Sequence, residues 1–151
     1  MLTDNTIYKL LSPQVVQFWD AIKYACIKAD EIEDENISEY FNELLQALLS
    51  DKAQCFVVLD SSKVLHGIAI TRIVIDKMLS KKVLHIQCLY SLSMMDNSSL
   101  QKYFNFISDF ANREKCSSVT FHSRNPRVWD IAKVVNAREK YRCFIYKLGG
   151  I

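Results

Sequence analysis

The side chains best suited to chemistry in this sequence are two histidines and three thiols: His85, His122, Cys88, Cys116 and Cys143. A thiol beside an imidazole makes a nucleophile, and a histidine titrating near neutrality makes a general base. His85 sits inside the apolar run 83–90, where a lone histidine is more often a hydrogen-bonded core residue. Spacing alone brings no thiol to either ring. A second group is basic: Arg124, Arg127, Lys133, Arg138, Lys140 and Arg142, with Trp129 and Tyr141 among them. Cations interleaved with aromatics fit contact with nucleic acid, and they fit equally a docking surface for acidic protein. A third group is acidic: five of the six residues 30–35 are Asp or Glu. It lacks the ligand spacing of an EF-hand loop and reads as an exposed loop. The five cysteines form no C-x-x-C pair, so no metal site is expected, and buried free thiols in a reducing compartment are the plain reading.

The elements that must position any chemistry centre on residues 83–113. The apolar run 83–90 predicts a buried strand. Leu100, Tyr103, Phe104, Ile107, Phe110 and Ala111 have the i, i+3, i+4, i+7 spacing of a helix with one apolar face. Between them lies Ser91-Leu92-Ser93-Met94-Met95-Asp96-Asn97-Ser98-Ser99. A strand feeding a helix places the helix N-terminus, with its unpaired N–H groups, towards a ligand. Here Asp96, Asn97 or Ser98 is expected to cap those groups internally. The chain has only three glycines, Gly67, Gly149 and Gly150, so no Gly-rich phosphate loop is present.

The rest of the chain reads as one domain, 1–151, without repeat or linker. Its 151 residues are enough for one sizeable core. Half the residues are hydrophobic and 24% are charged, an ordinary globular balance. No apolar run reaches the roughly 20 residues of a membrane span. The start, Met1-Leu2-Thr3-Asp4-Asn5, has neither the basic nor the apolar part of a signal peptide. A soluble, cytoplasmic, unexported protein is expected. The net charge of +2 conceals an asymmetry. Residues 1–50 hold three lysines against nine acids, and residues 111–151 hold nine Lys/Arg against three acids.

In order, residues 1–12 read as a lead. Ser12 as N-cap and Pro13 at the first helical position open a helix carrying Val15, Trp19, Ile22, Cys26 and Ala29 on one side, ending near Ala29 before the acidic run. Ile37–Leu49 is a second helix with Phe41, Leu44, Leu45 and Leu48 on one face. Strands are expected at 54–59, 64–75 and 83–90, with Gly67 as a bulge position, in an antiparallel meander. The helix 100–113, a short strand 118–122, a helix opening at Asn125-Pro126 and a last strand 141–148 complete an α/β (α+β) order ααβββαβαβ. It predicts a mixed, mostly antiparallel central sheet flanked by helices.

This order resembles the fold of the Gcn5-related N-acetyltransferases, the GNAT fold, over nearly the whole chain. The best local echo runs from Asn125 to Arg138. In that family an Asn, a helix and then a Gly-Phe pair follow the penultimate strand. Here Asn136-Ala137 takes the place of the pair, and Asn adopts the left-handed conformation that ends a helix. The resemblance implies acetyl-CoA as cofactor, held by a Gln/Arg-x-x-Gly-x-Gly/Ala loop where this chain has residues 91–99. It implies a tyrosine general acid where this chain has Ala132, and often a Glu base on the central strands, where 64–75 and 83–90 have no carboxylate.

With the loop and the acid both missing, the expectation is a non-catalytic, degenerate GNAT-like structural or interaction protein with no catalytic residue and no cofactor, partnered by other subunits of an assembly. Size and the ending Lys147-Leu148-Gly149-Gly150 are similar to those of GNAT-like virion proteins of tailed bacteriophages, which implies virion association as an internal, ejection or tail-associated component. The alternative is a divergent acetyl-CoA-dependent N-acyltransferase binding through Met94, Asp96, Asn97, Ser98, Ser99 and Asn125. A minor alternative is a nucleic-acid-binding module.

Overall fold

The computed structural model describes residues 5–30, 36–78 and 80–149. The chain begins with a strand, β1 (Thr6–Lys9), followed by α1 (Ser12–Gln17), α2 (Trp19–Asp30) and α3 (Ile37–Leu49). The meander β2 (Ala53–Leu59), β3 (Leu65–Asp76) and β4 (Lys81–Ser91) comes next. Then follow α4 (Asn97–Arg113), β5 (Val119–Phe121) and α5 (Pro126–Val134). These strands form one sheet in the order β1-β2-β3-β4-β5. All neighbours are antiparallel except β4 and β5, which run parallel. Among the described residues no helix is long and apolar enough to cross a membrane.

The sheet divides two cores. Cys55, Val57, Ile68, Ile70 and Cys88 face α1, α2 and α3, against Val15, Ile22, Cys26, Leu44 and Leu48. Phe56, Val58, Ala69, Leu84 and Ile86 face α4, against Tyr103, Phe104, Ile107 and Phe110. Alternate residues of β2 therefore serve both cores, and Ala53 to Val58 are all buried. That explains why β2 reads as a continuous apolar run rather than an alternating one. All five cysteines carry free thiols, and burial pushes the Cys55 thiol up to about 12, which keeps it protonated.

Four expectations are corrected. The lead contains β1, which pairs Thr6–Lys9 with Leu59 to Phe56 and supplies Ile7 to the α4-side core. A strand buried on both faces needs a hydrogen-bonded neighbour along each edge, and β1 gives β2 its second one. The first helix breaks at Phe18, where φ is −101° and ψ is 6°, so that Trp19 meets Phe41 edge-on. Ser12 is not its cap: the Leu11 N–H donates to Gln14 Oε1 at 2.8 Å, and the Ser12 hydroxyl donates to the Leu49 carbonyl. The last strand does not form, since residues 137–149 adopt neither helix nor strand and are all exposed. The acidic residues 31–35 lie outside the described residues.

The endings of α4 and α5 follow the sequence closely. Asp96 caps α4, accepting from the Ser99 N–H at 2.7 Å. Asn125 caps α5, accepting from the Arg127 N–H at 3.0 Å, and Pro126 opens it. Asn136 stands at φ +58°, the left-handed residue that terminates α5.

Candidate active site

The site is made by two strands that part. β5 pairs with β4 only from Leu84 to Ile86, opposite Val119 to Phe121. β4 continues to Ser91 against β3, whereas the other chain leaves the sheet after Phe121. At the point of parting β4 carries a bulge. Ile86 pairs with Thr71 and Cys88 with Ile70, so Gln87 is the extra residue. One added residue reverses the facing of everything beyond it. Leu84 and Ile86 face α4, but Cys88 faces the opposite core and Leu89 turns back towards α4.

A polar chain pins the bulge. Gln87 accepts from Arg72 Nε at 2.6 Å and donates to the Tyr40 hydroxyl at 3.2 Å. The Arg72 guanidinium meets Glu43 of α3 through two bonds of 2.6 Å. This paired geometry is the strong form of such contacts. The Arg72 hydrogen bond holds the Glu43 carboxyl below its ordinary range.

Beyond the parting lies a cavity of about 100 Å3 between the end of β4, Gly67 of β3, α4 and the first turn of α5. Tyr90, Ser91, Met95, Asn125, Arg127 and Val128 line it. Gly67 leaves room there for Met95. A Cβ on it would stand 2.7 Å from Met95 Cε, so the absent side chain is what lets Met95 fold inwards. The bulge expected near Gly67 falls one residue earlier, at His66, between the pairs Val58–Gly67 and Leu59–Leu65.

Nothing in the sequence singles out His66, yet it organises the loop after β4. Its Nε2 lies 2.9 Å from Asp60 Oδ2 and its Nδ1 lies 2.7 Å from Ser93 Oγ. The His66 hydrogen bond, then the Val64 N–H, hold Asp60 below its ordinary pKa. The ionised Asp60 accepts from His66 Nε2–H, and His66 Nδ1 is hydrogen-bonded with the Ser93 hydroxyl. The Leu92 N–H donates to the His66 carbonyl at 2.9 Å, and the Ser91 hydroxyl donates to the Ser93 carbonyl. The loop that feeds α4 is thereby clipped to the β2–β3 turn.

On the other side of the parting, His85 of β4 and His122 just past β5 stack at 4.9 Å with 22° between their planes. His85 Nδ1 is 2.9 Å from Thr120 Oγ1. Burial first, and the charge of His122 second, lower the His85 pKa from its ordinary 6.5, so the ring is neutral at pH 7. His122 with Gln87, Phe121 and Ser123 borders a small hollow between the strands. The sign for stability follows. Between the lowered folded value and 6.5 the unfolded chain binds a proton that the folded chain refuses, so stability falls as pH drops below 6.5. His85→Gln is expected to flatten that part of the stability–pH curve, measured by urea midpoints from pH 7.5 to 5.

The residues singled out from sequence are placed as follows. Asn125 lines the cavity. Met94 is 88% exposed, and Asp96, Asn97 and Ser98 are exposed in the turn that opens α4. Ser99 serves the cap. The Ser99 N–H holds the Asp96 carboxyl below its ordinary pKa, so a negative charge stands at the α4 N-terminus. Arg127 reaches the cavity, Arg124 and Lys133 are exposed, and Arg138, Lys140 and Arg142 lie in the exposed stretch 137–149. Cys88 faces the α2–α3 core, burial raises the Cys116 thiol, and Cys143 lies in the exposed stretch. Ala132, at the family's tyrosine position, is half-buried. Among the described residues no three His, Cys, Asp or Glu are grouped to hold a metal ion.

No protein-family model matches the chain, and no curated protein does. Solved structures match it along nearly its full length. Aminoglycoside N-acetyltransferase AAC(6')-Iy in complex with CoA superposes with a TM-score of 0.73 at 14% identity, covering 99% of this chain and 98% of that one. Aminoglycoside 6'-N-acetyltransferase AAC(6')-Ih from Acinetobacter baumannii gives 0.72 at 10% identity, over 95% and 97%. Ribosomal-protein-alanine N-acetyltransferase from Brucella melitensis biovar Abortus 2308 gives 0.67 at 14%, over 96% and 100%. The chain has the GNAT fold. Two expectations are thereby corrected. The matched proteins are acetyltransferases over their whole length, which overturns the reading as a non-catalytic virion component. AAC(6')-Iy is seen with CoA and again with the bisubstrate analog CoA-S-monomethyl-acetylneamine, which overturns the expectation that the fold here goes without a cofactor.

Proposed function

We propose that this chain is a divergent acyl-CoA-dependent N-acyltransferase, with the parting of β4 from β5 as its cofactor slot. The observation that carries the reading is the bulge at Gln87, pinned by Arg72, beyond which Leu89, Tyr90 and Ser91 border the cavity. Past Ile86 the β5-side edge of β4 has no strand beside it among the described residues. Such an edge takes an extended amide-bearing arm as it would take another strand, and the pantetheine part of CoA is an arm of that kind. Bound there, CoA supplies an activated acyl thioester.

The fit is good along the arm and poor at the customary diphosphate position. The ionised Asp96 caps α4 where the family has glycines and open N–H groups. Arg127 on α5 supplies the positive charge from the facing wall of the same cavity. The remaining work falls to protons. An amine acceptor arrives as an ammonium ion and must lose a proton before it attacks. His85, kept neutral by burial and hydrogen-bonded with Thr120, stands on β4 outside the cavity lining, so it takes that proton through intervening water rather than directly. Tyr90 borders the cavity by its backbone, while its ring packs edge-on against Tyr24 of α2, whose hydrogen bond raises its pKa; the departing thiolate therefore takes its proton from solvent.

Acetyl-CoA at 100 times its dissociation constant is expected to stabilise the fold by about 2.7 kcal/mol, a rise of roughly 5–10 °C in Tm for a domain of this size. Release of free thiol in the presence of primary amines reads the turnover. No Tm shift at millimolar acetyl-CoA removes the proposal.

A further inference from the structure

Asp60, His66 and Ser93, which no step of acyl transfer from CoA employs, form one hydrogen-bonded chain. Asp60 Oδ2 lies 2.9 Å from His66 Nε2, and His66 Nδ1 lies 2.7 Å from Ser93 Oγ. A hydroxyl, an imidazole and a carboxylate linked in that order make an activated nucleophile. Such a set is recognised by geometry and roles, whatever the order of its members in the chain. Each member is also held from a second side. Asp60 Oδ1 accepts from the N–H groups of Ser62 and Val64, at 2.8 and 3.0 Å. The His66 carbonyl accepts from the Leu92 N–H, and the Ser93 carbonyl accepts from the Ser91 hydroxyl. The set is not sealed in the core. The His66 side chain keeps 20% of its surface and that of Asp60 12%, and Ser93 is half-buried.

We propose that Ser93 is the nucleophile of a second activity, hydrolysis of small carboxylic esters, with His66 as its base and Asp60 as the residue that positions His66. The Ser93 oxygen attacks the ester carbonyl carbon while its proton passes to His66 Nδ1, the nitrogen left free when Nε2–H is given to Asp60. The bond from the acyl carbon to the alcohol oxygen then breaks, and the imidazolium returns its proton to that oxygen as the alcohol leaves. Water attacks the acyl-serine and gives a proton to His66. The acyl–Ser93 bond breaks, the carboxylic acid leaves, and that proton returns to the Ser93 oxygen. Ser93 lines neither of the two hollows described above, so the substrates are compact esters met at the surface rather than long acyl chains. The activity uses no CoA and stands whether or not the slot takes it.

Two probes test it on the full chain without CoA. A fluorophosphonate, whose phosphonyl group stays on an activated serine as fluoride leaves, is expected to label Ser93, read by peptide mass spectrometry. p-Nitrophenyl acetate is expected to release p-nitrophenolate at a rate that saturates with ester. Ser93→Ala is expected to abolish both. His66→Gln retains an amide that bonds Asp60 and Ser93 but takes no proton, so a mere clip survives it. It is expected to lower the release by at least about a hundredfold, with an unchanged circular dichroism spectrum. Asp60→Asn keeps the acceptor for the Ser62 and Val64 N–H groups, and it is expected to lower kcat with KM little changed, because it acts through His66. An unlabelled Ser93 in the wild type overturns the proposal, as does ester release that His66→Gln leaves unchanged. A Tm rise with acetyl-CoA beside an unlabelled Ser93 removes this activity alone. A labelled Ser93 without a Tm rise supports it and removes only the CoA slot.

Discussion

Phe56→Ala is expected to remove about 3–5 kcal/mol of stability. Phe56 is 1% exposed in the middle of β2 and meets Phe110 at 5.7 Å and Phe106 at 6.1 Å, both edge-on. The loss has three parts: apolar area returned to water, two edge-to-face contacts, and a void. Phe56 also lines the existing cavity, so the new void adds to space that α4 already spans, and the walls have little room to close in. Against a total of roughly 5–15 kcal/mol for a domain, this is a fifth or more of the whole. The expected result is a fall in the urea midpoint with an unchanged slope. Val64→Thr, at a position 53% exposed in the β2–β3 turn, serves as the control and is expected to change stability by no more than about 0.5 kcal/mol.

The second large effect is on ligand affinity. Asp96→Ser keeps a side-chain oxygen that accepts from the Ser99 N–H, because serine caps as well as aspartate does. It removes a negative charge beside Met95, which lines the same cavity as Arg127. If the cofactor's diphosphate comes to that mouth, the substitution relieves a like-charge repulsion and tightens acetyl-CoA on the order of three- to tenfold at low salt. Arg127→Glu acts in the opposite direction and by at least as much, since it both removes and reverses a charge. Raising the salt is expected to shrink both differences, because exposed charges are screened over roughly 10 Å at 0.1 M. Calorimetric titration of the two variants reads these changes. Equal dissociation constants for wild type and Asp96→Ser would place the diphosphate away from the α4 N-terminus.

Most of the local structure was legible in the chain. Ile37–Leu49 stands at the predicted residues, and the meander strands lie within about two residues of the expected positions. Asp96 and Asn136 do what their types suggest, because capping and left-handed backbone depend on a few adjacent residues. The absence of the glycine loop and of the tyrosine acid was equally plain. Long-range pairing decided the rest. β1 is too short to announce itself and exists because β2 needs a second neighbour. The bulge at Gln87 has no signature in residues 83–90, since it arises from register against Thr71 and Ile70, held by Arg72 from another strand and Glu43 from a helix. His66 joins Asp60 and Ser93 across 6 and 27 residues, a distance over which spacing carries no information. The stretch 141–148 has a strand's composition but is not a strand in the fold, because a strand forms only where a second edge pairs with it. The functional reading turned on the same distinction: the missing loop could be read from residue types, whereas the slot that the parted strands leave open exists only in the folded sheet.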